Sequence, residues 1–155
     1  MTEQVSNPRS TQNDKIMAAL AHISALLPMM GVIAPIIIWA TQKDKSEYVA
    51  FQALQAIVYQ LLMIMAWFVG MGCYMLSFFS TFLAIPFATG SEGDPNSPFF
   101  MIGFIVPFLV MGGMFLGSGI FIVYGIFGAI MTFQGKDFRY AIIGKRLKRY
   151  LEQSS

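Results

Sequence analysis

The chain has 155 residues, enough for one domain, with 56% hydrophobic residues, 12% charged residues and a net charge of +2. A soluble domain carries about 25% charged residues, so a chain this poor in charge cannot keep an ordinary soluble surface wet and turns much of that surface to lipid. Cys73 is the single cysteine, which excludes an internal disulfide and a thiolate metal cluster.

Met1 to Asp14 is polar and holds Pro8, and a segment to about residue 15 reads as a disordered cytoplasmic tail. Asn13 or Asp14 is the predicted N-cap of the first helix. Ile16 to Gln42 contains no Asp, Glu, Lys or Arg. Its prolines, Pro28 and Pro35, and the length of its apolar run exclude a cleaved signal peptide. They also exclude a straight helix, because proline lacks the backbone donor and clashes with the preceding turn. Residues 16–41 therefore form a proline-broken segment, and two readings of it compete. One is a single kinked span. The other is a re-entrant pair of half-helices turning near Pro28–Gly31.

The loop Gln42 to Glu47 is short and polar, with Ser46 as the predicted N-cap of the next helix. Tyr48 to Ser91 is again free of charge, and residues 48–89 read as one helix too long for the roughly 30 Å hydrocarbon core unless it tilts or projects. Gly70 and Gly72 are the expected flex points and Pro86 the expected fraying point. Thr89 to Pro98 is turn-rich. Residues 98–134 form the third apolar segment, closed by Gly135, and residues 136–155 form a basic tail. The predicted fold is an all-α membrane protein: the broken N-terminal segment, two long antiparallel transmembrane helices and an amphipathic C-terminal tail. Lys43, Lys45 and the tail cations place the loop and the C-terminus in the cytoplasm by the positive-inside rule. The re-entrant reading puts all ten basic residues on that side and is favoured for that reason. The expected location is the plasma (inner) membrane.

Four groups of residues are candidates for function. Gln52, Gln55 and Tyr59 share one face of the second segment, with Gln60 beside them. That face either lines a wet vestibule or hydrogen-bonds another helix. His22 is an ionisable group in an apolar segment; the plainer reading is a neutral imidazole bonded to a backbone carbonyl or a glutamine. Gly113 and Gly117 form a GxxxG, and Gly125 precedes Ala129 by four, so these positions suit close helix packing, within the chain or in a homo-oligomer. Arg139, Lys145, Arg146, Lys148 and Arg149 alternate with apolar residues and suit the anionic inner leaflet of the bilayer. Cys73 reads as a packing residue. No catalytic set, phosphate loop or metal-ligand spacing appears, so an enzyme, a cofactor and a nucleic-acid partner are not expected.

Leu20 to Gln60 and Phe138 to Leu147 carry a family likeness. Ala21–Ser24, the apolar run to Trp39, Lys43–Ser46 and the polar helix start from Gln52 to Gln60 resemble an uncharacterised family of small bacterial membrane proteins. That family is grouped with the twenty-kilodalton channel subunit of the chloroplast inner-envelope import translocon. It often has a histidine and an acidic residue near Gln52 to Gln55 and a proline where Ala141 stands. The resemblance implies a polytopic relative of a protein-import channel and no established activity. Two function classes follow: a channel-like component for protein translocation or membrane insertion, and a structural or assembly scaffold with membrane-protein partners. A small-solute channel is a weaker third.

Overall fold

The computed structural model describes residues 10–27, 29–89 and 98–141, with side chains described for all of these but 84–89, 99 and 100. Four α-helices and one short 3-10 turn account for the described secondary structure: α1 (Gln12–Ile23), the turn Ser24–Leu26, α2 (Ile33–Gln42), α3 (Glu47–Thr89) and α4 (Pro98–Phe133). No strand occurs among the described residues. α3 and α4 each contain a stretch long and apolar enough to cross a membrane, Glu47–Leu83 and Met101–Phe133. The chain divides into two compact units, residues 1–64 with 121–155, and residues 65–120.

In the first unit, α1 begins one turn earlier than the polar composition suggests. Thr11 rather than Asn13 or Asp14 is the N-cap: its hydroxyl accepts from the Asp14 N–H at 3.2 Å while the Asp14 carboxylate accepts from the Thr11 N–H at 2.8 Å. This reciprocal pair satisfies two of the donors that every helix start leaves open. The apolar run then breaks where its prolines require. α1 and α2, of 12 and 10 residues, are separate helices packed on each other. At 1.5 Å per residue each reaches about half the thickness of a bilayer core. Pro35 sits in the first turn of α2, where a missing N–H is tolerated. Gly31 closes the turn. Its N–H bonds the Leu27 carbonyl at 2.7 Å, and a Cβ there would lie 2.0 Å from the Ser24 carbonyl oxygen and 2.6 Å from that of Leu27.

α1 meets α3 through small residues. Ala18 packs with Tyr48 and Val49, and Ala21 with Ala53 and Ala56, while Ile38 and Trp39 of α2 cover these contacts. Ser46 caps α3 as expected, its hydroxyl accepting from Val49 N–H at 3.4 Å. α4 ends at Gly135, which is left-handed at φ +76°, the usual glycine C-cap. The chain then turns back as a non-helical strap, residues 136–141, and buries Phe138 and Tyr140. This departs from the expectation of a surface tail from residue 136. Alternation of apolar and basic residues suits an interface, but the two rings find more apolar contact inside the unit than at its edge.

In the second unit α3 and α4 pair antiparallel, Gly70 seating the Met114 side chain and Thr81 donating to the carbonyl oxygen of Gly103 at 2.8 Å. α3 runs unbroken through Gly70, Gly72 and Pro86, so neither glycine is a flex point.

Gly31→Ala is expected to lower stability in detergent by about 2–3 kcal/mol, the cost of overpacking against atoms that cannot retreat. Gly112→Ala, which meets no atom within 4 Å, is expected to lose nothing. Thermal unfolding of the two variants measures the contrast, and equal losses would contradict this geometry.

Candidate functional site

Of the predicted polar face of α3, Gln52 and Gln55 join His22 in one bonded group in the first unit. His22, Gln52 and Gln55 are each 0% exposed and Tyr140 is 2% exposed. Gln55 grips the strap: its Nε2 donates to the Phe138 carbonyl at 3.1 Å and its Oε1 accepts from the Tyr140 N–H at 3.2 Å. Those two backbone partners fix the orientation of its amide. Its Nε2 also donates to Gln52 Oε1 at 3.3 Å. Gln52 Nε2 donates to the Asp137 carboxylate at 3.2 Å, a group that only accepts when ionised. Gln52 therefore presents its oxygen to His22 Nε2, 3.2 Å away, and that nitrogen carries the proton. The other ring nitrogen, Nδ1, is bare and accepts from the Tyr140 hydroxyl at 3.0 Å. Burial, with the neighbouring Tyr59 and Tyr124 hydroxyls adding to it, pushes the Tyr140 phenol up, which keeps it a donor.

His22 is thus a neutral imidazole between an amide and a phenol. Its partner is a glutamine, with the Tyr140 phenol in place of a backbone carbonyl. Tyr140 lies 118 positions away in sequence, and no local pattern marks it as a partner. Around this line of bonds the aromatic rings close. Tyr140 stacks on Tyr59 at 4.0 Å between centroids, and Phe138 meets His22 edge-on at 5.7 Å. Tyr59 donates to the Phe121 carbonyl at 2.8 Å. Gln60 serves the broken segment instead, its Nε2 donating to Ser24 Oγ at 3.0 Å and reaching the Ala21 carbonyl at 3.5 Å. The glutamine face is therefore buried rather than a wet lining, and it hydrogen-bonds other helices: Gln52 meets His22 of α1, and Tyr59 meets the Phe121 carbonyl of α4. Gln55 alone supplies the backbone of the strap, and Gln60 reaches the end of α1 and the start of the break.

The small residues divide. Gly125 and Ala129 are buried, and a Cβ on Gly125 would stand 3.0 Å from Ala25 and 3.9 Å from the Tyr59 ring, so α4 packs there on the N-terminal segment as well as on α3. Gly113 and Gly117 have nothing within 4 Å of a built Cβ. Cys73 is exposed and packs on nothing that would hold it buried. Arg139 is exposed and pairs with Asp137 at 2.5 Å; Lys145, Arg146, Lys148 and Arg149 lie outside the described residues. In the second unit a cavity of about 380 Å³ is lined by Tyr74, Phe78, Phe82, Phe104, Pro107 and Phe108 among others. No group of three His, Cys, Asp or Glu side chains suited to a metal occurs among the described residues.

A model of the magnetosome magnetite crystal formation protein family (MamF/MmsF) matches residues 13–147, from the start of α1 through the strap and beyond. The chain belongs to that family. No curated protein and no solved structure matches it. Membership in MamF/MmsF overturns the resemblance to the import-channel group. That likeness rested on Ala21–Ser24, the apolar run to Trp39, Lys43–Ser46, the helix start from Gln52 to Gln60 and Phe138–Leu147, all of which lie within the MamF/MmsF match. The expectation of a polypeptide channel fails with it, and the MamF/MmsF match favours the membrane-associated assembly reading.

Gln55→Leu, close in volume, leaves the Phe138 carbonyl and the Tyr140 N–H without partners. It is expected to destabilise the first unit by about 3 kcal/mol, against about 1 kcal/mol for Tyr59→Phe. Denaturation of the two variants in detergent compares them; a Gln55→Leu loss no larger than that of Tyr59→Phe would mean that Gln55 does not hold the strap.

Proposed function

We propose that this chain is a membrane-embedded structural component of magnetite crystal formation, acting as a scaffold of the magnetosome membrane and carrying out no reaction of its own. The observation that carries this reading is the family match over residues 13–147. The inward-facing polar residues support it. His22, Gln52, Gln55, Gln60 and Tyr140 are bonded to one another, to Ser24 or to backbone, so these five are engaged in holding the fold.

In the membrane, α3 and α4 cross the bilayer, while α1 and α2 enter and return on one side. The exposed apolar residues at their turn, Leu26, Leu27, Met29 and Met30, are the surface expected of a hairpin tip immersed in hydrocarbon. Lys15, Lys43, Lys45, Lys136 and Arg139 then share the cytoplasmic side, with the tail against the anionic leaflet. The segment of residues 90–97 carries Glu92 and Asp94 and no Lys or Arg, so it faces the other side. The open Gly113–Gly117 face receives another membrane helix, from a second copy or from a partner protein.

Loss of the chain from a magnetite-forming cell is expected to change crystal size or number while the enclosing membranes persist, as seen by electron microscopy. Unaltered crystals would sink the proposal. A reporter fused before residue 10 is expected to read as cytoplasmic; a signal from the opposite side would replace the hairpin with a single span. Gly113→Ile with Gly117→Ile is expected to abolish crosslinking to neighbours in native membranes, and undiminished crosslinking would remove that face as the contact.

A further inference from the structure

The bonds at His22 are those of a neutral imidazole. Nε2–H donates to Gln52 Oε1 and bare Nδ1 accepts from Tyr140. The groups around the ring leave little room for another arrangement. From the strap, Tyr140 touches the ring directly. Asp137 is reached only through the Gln52 amide, and its other oxygen holds Arg139; Lys136 bonds Tyr48 through its backbone carbonyl. From α3 come the Tyr59 and Tyr48 hydroxyls, which donate to carbonyl oxygens, and Glu47 at the helix start. From α4 comes Tyr124, whose hydroxyl accepts from Ala141 N–H at 3.4 Å. α1 itself carries Asp14, engaged in the cap, and Lys15, which lies against Gly135. α2 has no titratable side chain. No carboxylate bonds His22 among the described residues.

We propose that protonation of His22 releases the strap of residues 136–141 from the first unit, so that this segment is a pH-sensitive latch. An added proton on Nδ1 sets two donors face to face, and the Tyr140 hydroxyl must turn its hydrogen away. Its surroundings are the ring of Tyr59, stacked at 4.0 Å, and that of Tyr124 at 5.3 Å between centroids. The Tyr59 hydroxyl is committed to the Phe121 carbonyl and the Tyr124 oxygen already accepts from the Ala141 N–H, so the turned hydroxyl exchanges an imidazole nitrogen for a poorer acceptor beside a buried charge. Opening the strap gives both to water.

The sign follows from linkage. An opened His22 titrates near the ordinary imidazole value of about 6.5 while the closed one stays neutral, so the open form binds more protons as pH falls. Between pH 7.5 and 5.5 the opening equilibrium shifts by about tenfold, and the carboxylates, ordinarily titrating near 4, stay ionised over that interval.

Hydrogen exchange of the full chain in lipid nanodiscs tests the latch. The Tyr140 amide, bonded to Gln55 Oε1, is expected to lose about tenfold in protection at pH 5.5 relative to 7.5, after correction for intrinsic rates. Amides in the middle of α4 keep theirs. His22→Gln retains a donor and an acceptor but takes up no proton, and its strap is expected to be equally protected at both pH values. Unchanged protection in the unaltered chain overturns the proposal, as does an equal loss in His22→Gln. Should His22→Gln fail to fold, the imidazole nitrogen resonances of the single histidine replace it. Titration of those resonances with the strap still protected would overturn the latch, and coincident titration and opening would support it.

Discussion

A backbone N–H or C=O removed from water needs a partner, and in hydrocarbon only helices and closed barrels supply one from within. The first unit breaks that pattern twice, at the turn between α1 and α2 and at the strap after α4. Both breaks are repaired from the same helix. Gln60 reaches the carbonyl of Ala21 and the hydroxyl of Ser24, and Gln55 takes one carbonyl and one N–H of the strap. The amide side chain suits this work because it offers a donor and an acceptor side by side, as a neighbouring strand would. Gln52 orients the rest by joining Gln55, His22 and Asp137 in one direction of donation.

Close approach makes the repair possible. Alanines at 18, 21, 53 and 56 are fully or almost fully buried, and they bring α1 near enough to α3 for His22 to meet Gln52. Gly125 and Gly128 let α4 approach α1 and the strap in the same way. The second unit is built differently. Its contacts are apolar and aromatic, such as Trp67 edge-on to Phe115 at 6.2 Å, and the Trp67 indole N–H is buried with no hydrogen-bond partner among the described residues. Beyond the Thr81–Gly103 bond its surface is largely exposed and apolar, in keeping with helices long enough to cross a membrane.

Much of this architecture was legible in the sequence because charge and proline are strong signals. The charge-free stretches located α3 and α4, Pro28 with Gly31 located the break, and Ser46 located a cap. The glutamine face was visible by its helical spacing, but what it serves was not. Gln55's partners are backbone atoms of a segment whose own composition reads as surface. Phe138 and Tyr140 are separated by Arg139, and that alternation suits a membrane interface as well as it suits a strap with one residue turned outward. The small-residue motifs left their partners open for a related reason. Spacing reports that something can come close, and only the fold distinguishes Gly125, which is covered, from Gly113, which is not.

The order of synthesis gives the strap one more consequence. Gln55 is made 85 positions before Tyr140, and His22 precedes it by 118. Two glutamines and a histidine therefore enter the bilayer region well before the residues that complete their bonding exist. The first unit closes as a late, long-range event of high contact order, and until then its polar groups depend on water that has yet to be expelled.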